Sequence, residues 1–511
     1  MSKELVVVID AGTTGLRTMI FDSIGNEIGR DYQEYKSYYP KPAWVEQNAE
    51  DWWRAVCNTA TNVIKKTKIN PSEVVGISVT NQRETIVPVD AEGNALRKAL
   101  VWQDRRTIPQ CESIREKFGS EEIYRITGLT IDPYFSASKI LYIKDNEPNV
   151  FSQTYKFLLV HDFIEMKLSG KFITDWSNAS RTMLFDIEKH EWSKNICEEL
   201  EIPIEKMPEP HPSGLVIGEL SKTASKETGF LEGTQIISGA GDQQAGAMGL
   251  GVISPGRLSC TTGTGTFLIA FLEKPLRDPQ KRVLCSCHSV PGTWVMEASM
   301  FTTGSVYRWF RDQFSQHEKE KASQKCIDPY ELLNEEAAQA PVGSNGIIMI
   351  PHFAGAGAPH WNPYSRGIIA GLALGHSRGD LIRTILESIC FEIQKNIEVM
   401  RDLNIPTNEV RVTGGLTRCD NFNQIQADVY NIPVLLSSTE EATALGTAML
   451  VLKGVKIYKT FEEISEKIIH MRKTVTPNLK NHEKYIKMYN LSNRIYNLLQ
   501  ENNIYQDLAE L

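Results

Sequence analysis

The chain has 511 residues, 41% of them hydrophobic, and a formal net charge of −8. That length exceeds one ordinary core and predicts about two or three domains. The acidic balance argues against a general nucleic-acid binder, no apolar run nears the ~20 residues that span a bilayer, and the nine scattered Cys argue against a disulfide framework.

The N-terminal apolar run is too short for a signal peptide and is interrupted by Asp10, which reads as a cytoplasmic protein. In LVVVIDAGTTGLRTMIFD, a buried strand ends at Asp10, a tight turn spans Gly12 to Gly15, and a return strand follows. Thr13, Thr14 and Gly15 offer backbone N–H groups and hydroxyls to an anionic oxygen. Asp10 suits Mg²⁺ bound mainly through water, and Arg17 suits phosphate charge. An ordinary hairpin with a Gly-Thr turn is the alternative. Neither a dinucleotide fingerprint nor a P-loop is present.

SIGNEIG predicts another hairpin turn. AEDWWRAVCNTATNVIKKTKI predicts a helix, and VVGISVTN a strand ending at NQRET. Arg83 and Glu84 there are either a solvated pair or a donor fork beside an acceptor, which suits a vicinal diol. Trp102 in ALVWQDRRT and Tyr134 in TGLTIDPYFSASKI are each core residues or ligand walls. FLLVHDFIEMKL predicts a short amphipathic helix within a turn-rich stretch from about Lys156 to Gly218. WSNASRTMLFDIEKHEWS is dense in hydrogen-bonding side chains and specifies no chemistry by itself.

The strand TQIIS then leads into SGAGDQQAGAMGLG, where Asp242 stands at a predicted strand-to-helix turn among small residues. A carboxylate placed so is either a helix N-cap or a general base for a hydroxyl. GRLSCTTGTGTFLIAF repeats the N-terminal pattern about 250 residues later, with Thr262 to Gly265 echoing Gly12 to Gly15. Two such hairpins predict an internal duplication whose halves hold a nucleotide between them. Cys285, Cys287 and His288 read as strand residues, because nothing completes a metal site. HSRGDLIRTILESICFEIQKNIEVM predicts a long helix, and EVRVTGGLTRCDNFNQIQADV a strand, a Gly-Gly turn and a helix. EEATALGTAMLVLKG predicts a helix with Gly446 at a close crossing. The charged tail from about Lys456 reads as helical.

The paired Gly-Thr turns together with Asp242 resemble those of the superfamily that joins sugar kinases with actin. Within it the chain resembles the FGGY carbohydrate kinases, nearest to their glycerol-phosphorylating branch, over nearly its whole length. YPKPAWVEQ, TNQRET, VWQDRRT, TGLTIDPYFS, SNASRTMLF, GDQQAG, GTGTF and GAPHWNPYSRG occur in the order of that branch. The resemblance implies an α/β protein of two actin-like, ribonuclease H-like domains with an interdomain cleft. Residues 1–250 are expected to carry the polyol site and the first phosphate hairpin. Residues 251–511 are expected to carry the second hairpin and the adenosine site.

The implied activity is ATP-dependent phosphorylation of glycerol to sn-glycerol 3-phosphate, with Mg²⁺. Residue by residue, Arg83, Glu84, Tyr134, Asp242 and Gln243 match the polyol-binding set, and Trp102 and Phe267 its aromatic walls. Asp242 matches the catalytic base. Thr13, Thr14, Gly15, Arg17 and Thr264 match phosphate contacts, and Gly304 and Gly415 line the adenosine. A small-molecule polyol partner and a homo-oligomer (dimer or tetramer) follow from the same resemblance, and the acidic balance predicts no nucleic-acid partner.

The chain departs from that pattern at Gly15 and Leu16, at Thr266, at Arg308 and in the GGLTRCDNF loop. KETGFLEGTQIISG lacks the glycine–lysine pattern of enzymes regulated by fructose bisphosphate, so no such regulation is expected. Two alternatives stand beside glycerol. One is an FGGY kinase for erythritol, xylitol, dihydroxyacetone or xylulose. The other is an actin-like ATP-binding assembly protein, against which the Arg83–Glu84 and Asp242–Gln243 pairs argue.

Overall fold

The computed structural model describes residues 4–510. They form two compact units, and both draw on separated stretches of chain. Among the described residues, the first comprises residues up to 253, 271–295 and 441–469, and the second residues 254–270, 296–440 and those from 470 on.

The first unit is built on a six-stranded sheet of β1 (Leu5–Ala11), β2 (Gly15–Asp22), β3 (Glu27–Glu34), β4 (Val74–Asn81), β5 (Val216–Glu219) and β6 (Gln235–Gly241). Their spatial order is β5-β6-β4-β1-β2-β3. β1 runs antiparallel to β2 and parallel to β4, which runs parallel to β6. Every residue of β1 is buried, as a continuous apolar run requires when both sheet faces are covered. On one face lie the helices Ala49–Thr67 and Val160–Ser169, packed through Trp52, Val56 and Phe163. On the other lie Asp242–Gly249 and Ala442–Gly454, packed through Met248, Leu445 and Met449. Those last two helices cross backbone to backbone. A Cβ at Gly446 would strike the Ala245 carbonyl, and one at Gly249 the Ala442 carbonyl. The close crossing expected at Gly446 is therefore present.

The second unit repeats the plan with β7 (Gly256–Thr262), β8 (Thr266–Leu272), β9 (Trp294–Met300), β10 (Thr407–Thr413), β11 (Val434–Ser437) and β12 (Met471–Val475). Their order is β9-β8-β7-β10-β11-β12. β7 runs antiparallel to β8 and parallel to β10, β10 runs parallel to β11, and β12 closes the edge antiparallel. This is the strand plan of β1, β2, β4, β6 and β5, so the duplication suggested by the paired hairpins extends to five strands of each sheet. Each unit is an α/β, ribonuclease H-like layer structure. The long helix Arg378–Asp402 starts from a Ser377–Asp380 capping box and buries Ile382, Ile385, Leu386, Ile389 and Ile393.

Two expectations are corrected. FLLVHDFIEMKL is not one amphipathic helix. Lys156–Leu159 is a strand, and the helix Val160–Ser169 is buried on nearly all sides. Its polar residues face inward. His161 Nε2 lies 2.8 Å from Glu165 Oε1, which also accepts from the Gly239 amide at 3.1 Å. The C-terminal tail also contains β12, whose Arg472, Lys473 and Thr474 are exposed as an edge strand allows. Cys285 and Cys287 are buried on the strand Leu284–Cys287 with His288 just beyond it. No group of three metal-ligating side chains is gathered among the described residues.

Candidate active site

The first phosphate turn is the junction of β1 and β2. Its amide and carbonyl groups are sorted by direction. The Gly12 carbonyl accepts from the Tyr35 hydroxyl, Thr13 O from Gln47 Nε2 at 2.7 Å, and Thr14 O from the Tyr35 amide at 3.2 Å. The Thr13 and Thr14 amides donate to no group among the described residues. A turn with pinned carbonyls and uncommitted amides is a ready site for an anion. Gly15 is buried in β2, where a Cβ would collide with the Tyr32 hydroxyl and the Gln33 carbonyl.

Asp10 and Arg17 stand opposite each other in the β1–β2 register. Arg17 Nε lies 3.0 Å from Asp10 Oδ2, and its Nη1 lies 2.5 Å from Glu441 Oε2. Burial raises the Asp10 carboxyl above its ordinary value, Arg17 opposes the rise, and Glu441 adds to it.

At the end of β4 the chain turns through Gln82, whose amide donates to Ala11 O at 2.8 Å. Arg83 and Glu84 follow, buried rather than solvated. Glu84 has φ +63°, a left-handed conformation uncommon for a residue with a Cβ. Arg83 Nε lies 3.2 Å from Asp242 Oδ1, and Arg83 Nη1 donates to Gln244 Oε1 at 3.2 Å. Glu84 Oε1 accepts from Arg181 Nε at 2.6 Å. Arg181 and Gln244 were not among the sequence candidates. The only sequence signal for Gln244 was its place in GDQQAG. Arg181 lay in a stretch rich in polar side chains generally.

Asp242 is the first residue of its helix, with Gly241 as the N-cap, so the N-cap alternative for Asp242 falls. Its Oδ1 accepts from the Gln243 amide at 2.7 Å. The side chain keeps 32% exposure. Burial raises its carboxyl to about 7, Arg83 opposes this, and Glu84 and Asp10 add to it. A carboxyl of that strength is matched to proton transfer near neutral pH. The Gln243 side chain is half-buried beside it.

Trp102 joins these groups to the turn. Its indole Nε1 donates to Thr13 Oγ1 at 3.0 Å, and its amide to Thr85 Oγ1 at 3.1 Å. Tyr134 packs edge-on against Trp102 with centroids 5.6 Å apart. One connected cluster in the first unit thus holds Thr13, Arg83, Glu84, Trp102, Tyr134, Arg181 and Asp242.

The remaining candidates lie in the second unit. Thr264 is exposed at the β7–β8 turn, and its carbonyl accepts from the Thr303 and Ser305 amides at 3.2 and 3.0 Å. Gly304 opens the helix Gly304–Phe314, where a Cβ would strike the Gly263 carbonyl. Gly414 has φ +103° and abuts Thr262, whereas a Cβ on Gly415 would meet open space. That pair leaves an uncovered stretch of backbone on which a flat ring can lie. Phe267 is half-buried on β8, and Arg308 is exposed on the helix. No helix among the described residues is long and apolar enough to cross a membrane.

Residues 5–249 match the N-terminal domain of the FGGY family of carbohydrate kinases, and residues 258–454 match its C-terminal domain. The chain is 36% identical to a glycerol kinase of Thermococcus gammatolerans, over 95% of this chain and 96% of that one. It is 35% identical to glycerol kinase 2 of Thermotoga maritima, over 94% and 96%. Among solved structures it resembles a xylulose kinase from Rhodospirillum rubrum (TM-score 0.90, 24% identity, 98% and 100% covered) and the ADP-bound glycerol kinase of Plasmodium falciparum (0.85, 24%, 96% and 98%). The two units, their repeated sheets and the matched segments agree: the chain belongs to the FGGY family of carbohydrate kinases.

Proposed function

We propose that the protein transfers the γ-phosphoryl group of ATP to glycerol, giving sn-glycerol 3-phosphate. Membership of a carbohydrate kinase family supports an enzyme that phosphorylates an alcohol with ATP, and disfavours an assembly protein. The names of the relatives favour glycerol. The observation that carries the chemistry is Asp242, a recessed carboxyl raised to about 7 with Arg83 Nε 3.2 Å from its Oδ1.

In this reading Arg83, Glu84, Tyr134 and Gln243 bind the polyol hydroxyls, and Trp102 and Phe267 pack on its carbons. Asp242 accepts the proton of the reacting hydroxyl, whose oxygen attacks the γ-phosphorus in line. ADP leaves with the bridging oxygen. Thr13, Thr14, Gly15, Arg17 and Thr264 hold the phosphates, and Gly304 and Gly415 line the adenosine. Phosphoryl transfer asks mainly for such positioning and charge neutralisation.

Asp10 fits Mg²⁺. It offers a buried carboxylate at the mouth of the phosphate turn, and no all-protein cage stands among the described residues. That suits an ion held by one carboxylate, waters and phosphate. Bound there, Mg²⁺ would neutralise phosphate charge.

Residues 1–250 would then bear the acceptor site and first hairpin, and residues 251–511 the second hairpin and adenosine site. A dimer or tetramer in the cytoplasm accords with the family resemblance, and sedimentation tests the assembly. The deciding measurement is ADP release across glycerol, dihydroxyacetone, erythritol, xylitol and xylulose. Glycerol should give the highest kcat/KM. A clear preference for another acceptor would replace it, and ATP binding without acceptor-dependent ADP release would sink the reading.

A further inference from the structure

Lys139 is fully buried and has no place in the mechanism above. It sits in the first turn of the helix Ser136–Asn146, which has no side-chain cap. Its ammonium folds back over the chain just before the helix. It donates to Pro133 O and Tyr134 O at 2.7 Å each, and to Phe135 O at 3.4 Å. The same short turn is gripped from the other side, where Asp132 Oδ1 accepts from the Tyr134 amide at 2.7 Å and is paired with Arg105 at 2.6 Å.

This is an expensive place for a cation. Removal from water penalises the charge, and a helix N-terminus repels it. Burial pushes the ammonium down to about 7, and Arg105 adds to that, while Glu84, Asp104 and Asp132 pull it back. Water could satisfy carbonyls at a surface turn without this cost. What the lysine adds is direction, because three acceptors on consecutive residues leave the intervening peptide planes little freedom. Those planes carry Tyr134, whose ring meets Trp102 and Phe135 edge-on at 5.6 and 5.1 Å. The Arg181 guanidinium lies 5.7 Å from the Tyr134 ring and also holds Glu84.

We propose that Lys139 is a positioning residue for the acceptor site, fixing the Pro133–Phe135 turn so that Tyr134 is held in place for the polyol. This rests on the acceptor site described under the proposed function. Lys139 touches neither substrate in this reading and acts through Tyr134.

The test is steady-state kinetics of Lys139→Met and Lys139→Arg, with acceptor and ATP varied separately. Lys139→Met should raise the glycerol KM at least ~10-fold while the ATP KM stays within about twofold, since misplacement of a binding group is felt by its own ligand. Lys139→Arg should recover most of the loss. Adding Tyr134→Phe to Lys139→Met should cost little more, because both changes remove one function. In the wild type the glycerol KM should rise as pH passes about 7, and Lys139→Arg should flatten that rise, because arginine stays charged. This comparison decides the matter even if Lys139→Met does not fold.

A glycerol KM unchanged in Lys139→Met, an equal rise in both KM values, or the same pH profile in Lys139→Arg would overturn the assignment. If the wild type turns over a different polyol, the proposed substrate fails and the comparison is run on that polyol. If it turns over none, both readings fall.

Discussion

The Asp242 carboxyl stores instability that serves its chemistry. It lies at about 7 in the folded chain against 3.8 in an ordinary peptide. Between those values the native state binds a proton that the unfolded state has released. Stability therefore falls as pH rises through that window, and the deficit is complete above about pH 7. Asp242→Asn should melt higher than the wild type at about pH 8, while losing at least ~100-fold in kcat. A melting point unchanged at that pH would mean the carboxyl carries no such penalty. In Lys139→Arg, where the lysine no longer titrates, kcat/KM for glycerol should climb with a limb near pH 7 as Asp242 ionises. The site was partly legible at this scale. Asp242 follows a β-branched strand and opens a run of small residues, so its junction could be read directly. Arg181 could not be read, because its meaning comes from Glu84, 97 residues away in the chain. Lys139 carries no signal in the sequence, and only its burial distinguishes it.

Elements place these residues through backbone contact more than through side-chain interlock. The helix that begins with Asp242 is clamped by Ala442–Gly454, with Gly446 against the Ala245 carbonyl and Gly249 against the Ala442 carbonyl. Gly446→Ala has no soft neighbour to displace. It should cost about 1–3 kcal/mol in chemical denaturation, the usual range for overpacking, and lower kcat because the start of the helix moves with its crossing. A fully stable variant would show that the helices can part without cost. The turn-and-strand logic of both hairpins was readable because glycine and threonine mark it locally. The helix Val160–Ser169 misled for a physical reason. His161 and Glu165 have the spacing of a wet face, yet they pair with each other, and Glu165 accepts from the Gly239 amide, inside the unit. β12 was hidden because an exposed edge strand needs no apolar alternation.

On the scale of the whole molecule, the repeated sheet order was foreshadowed by two short turns, whereas the weaving of the chain was not. The first unit takes back residues 441–469, and with them the helix that covers Val6, Val8, Met19 and Ile237. Periodicity reveals that this helix exists but not which sheet it covers. A fragment ending at residue 270 should expose that apolar face, bind a hydrophobic dye and melt without a cooperative transition. Sharp two-state melting of the fragment would contradict this. During synthesis, the sheet bearing Asp10 must wait with one side only partly covered, by the short helix that starts at Asp242, until residue 469 has left the ribosome. Over that interval the nascent polypeptide is exposed to aggregation, which makes its yield in cells depend on chaperone capacity and translation speed more than on the stability of the finished enzyme.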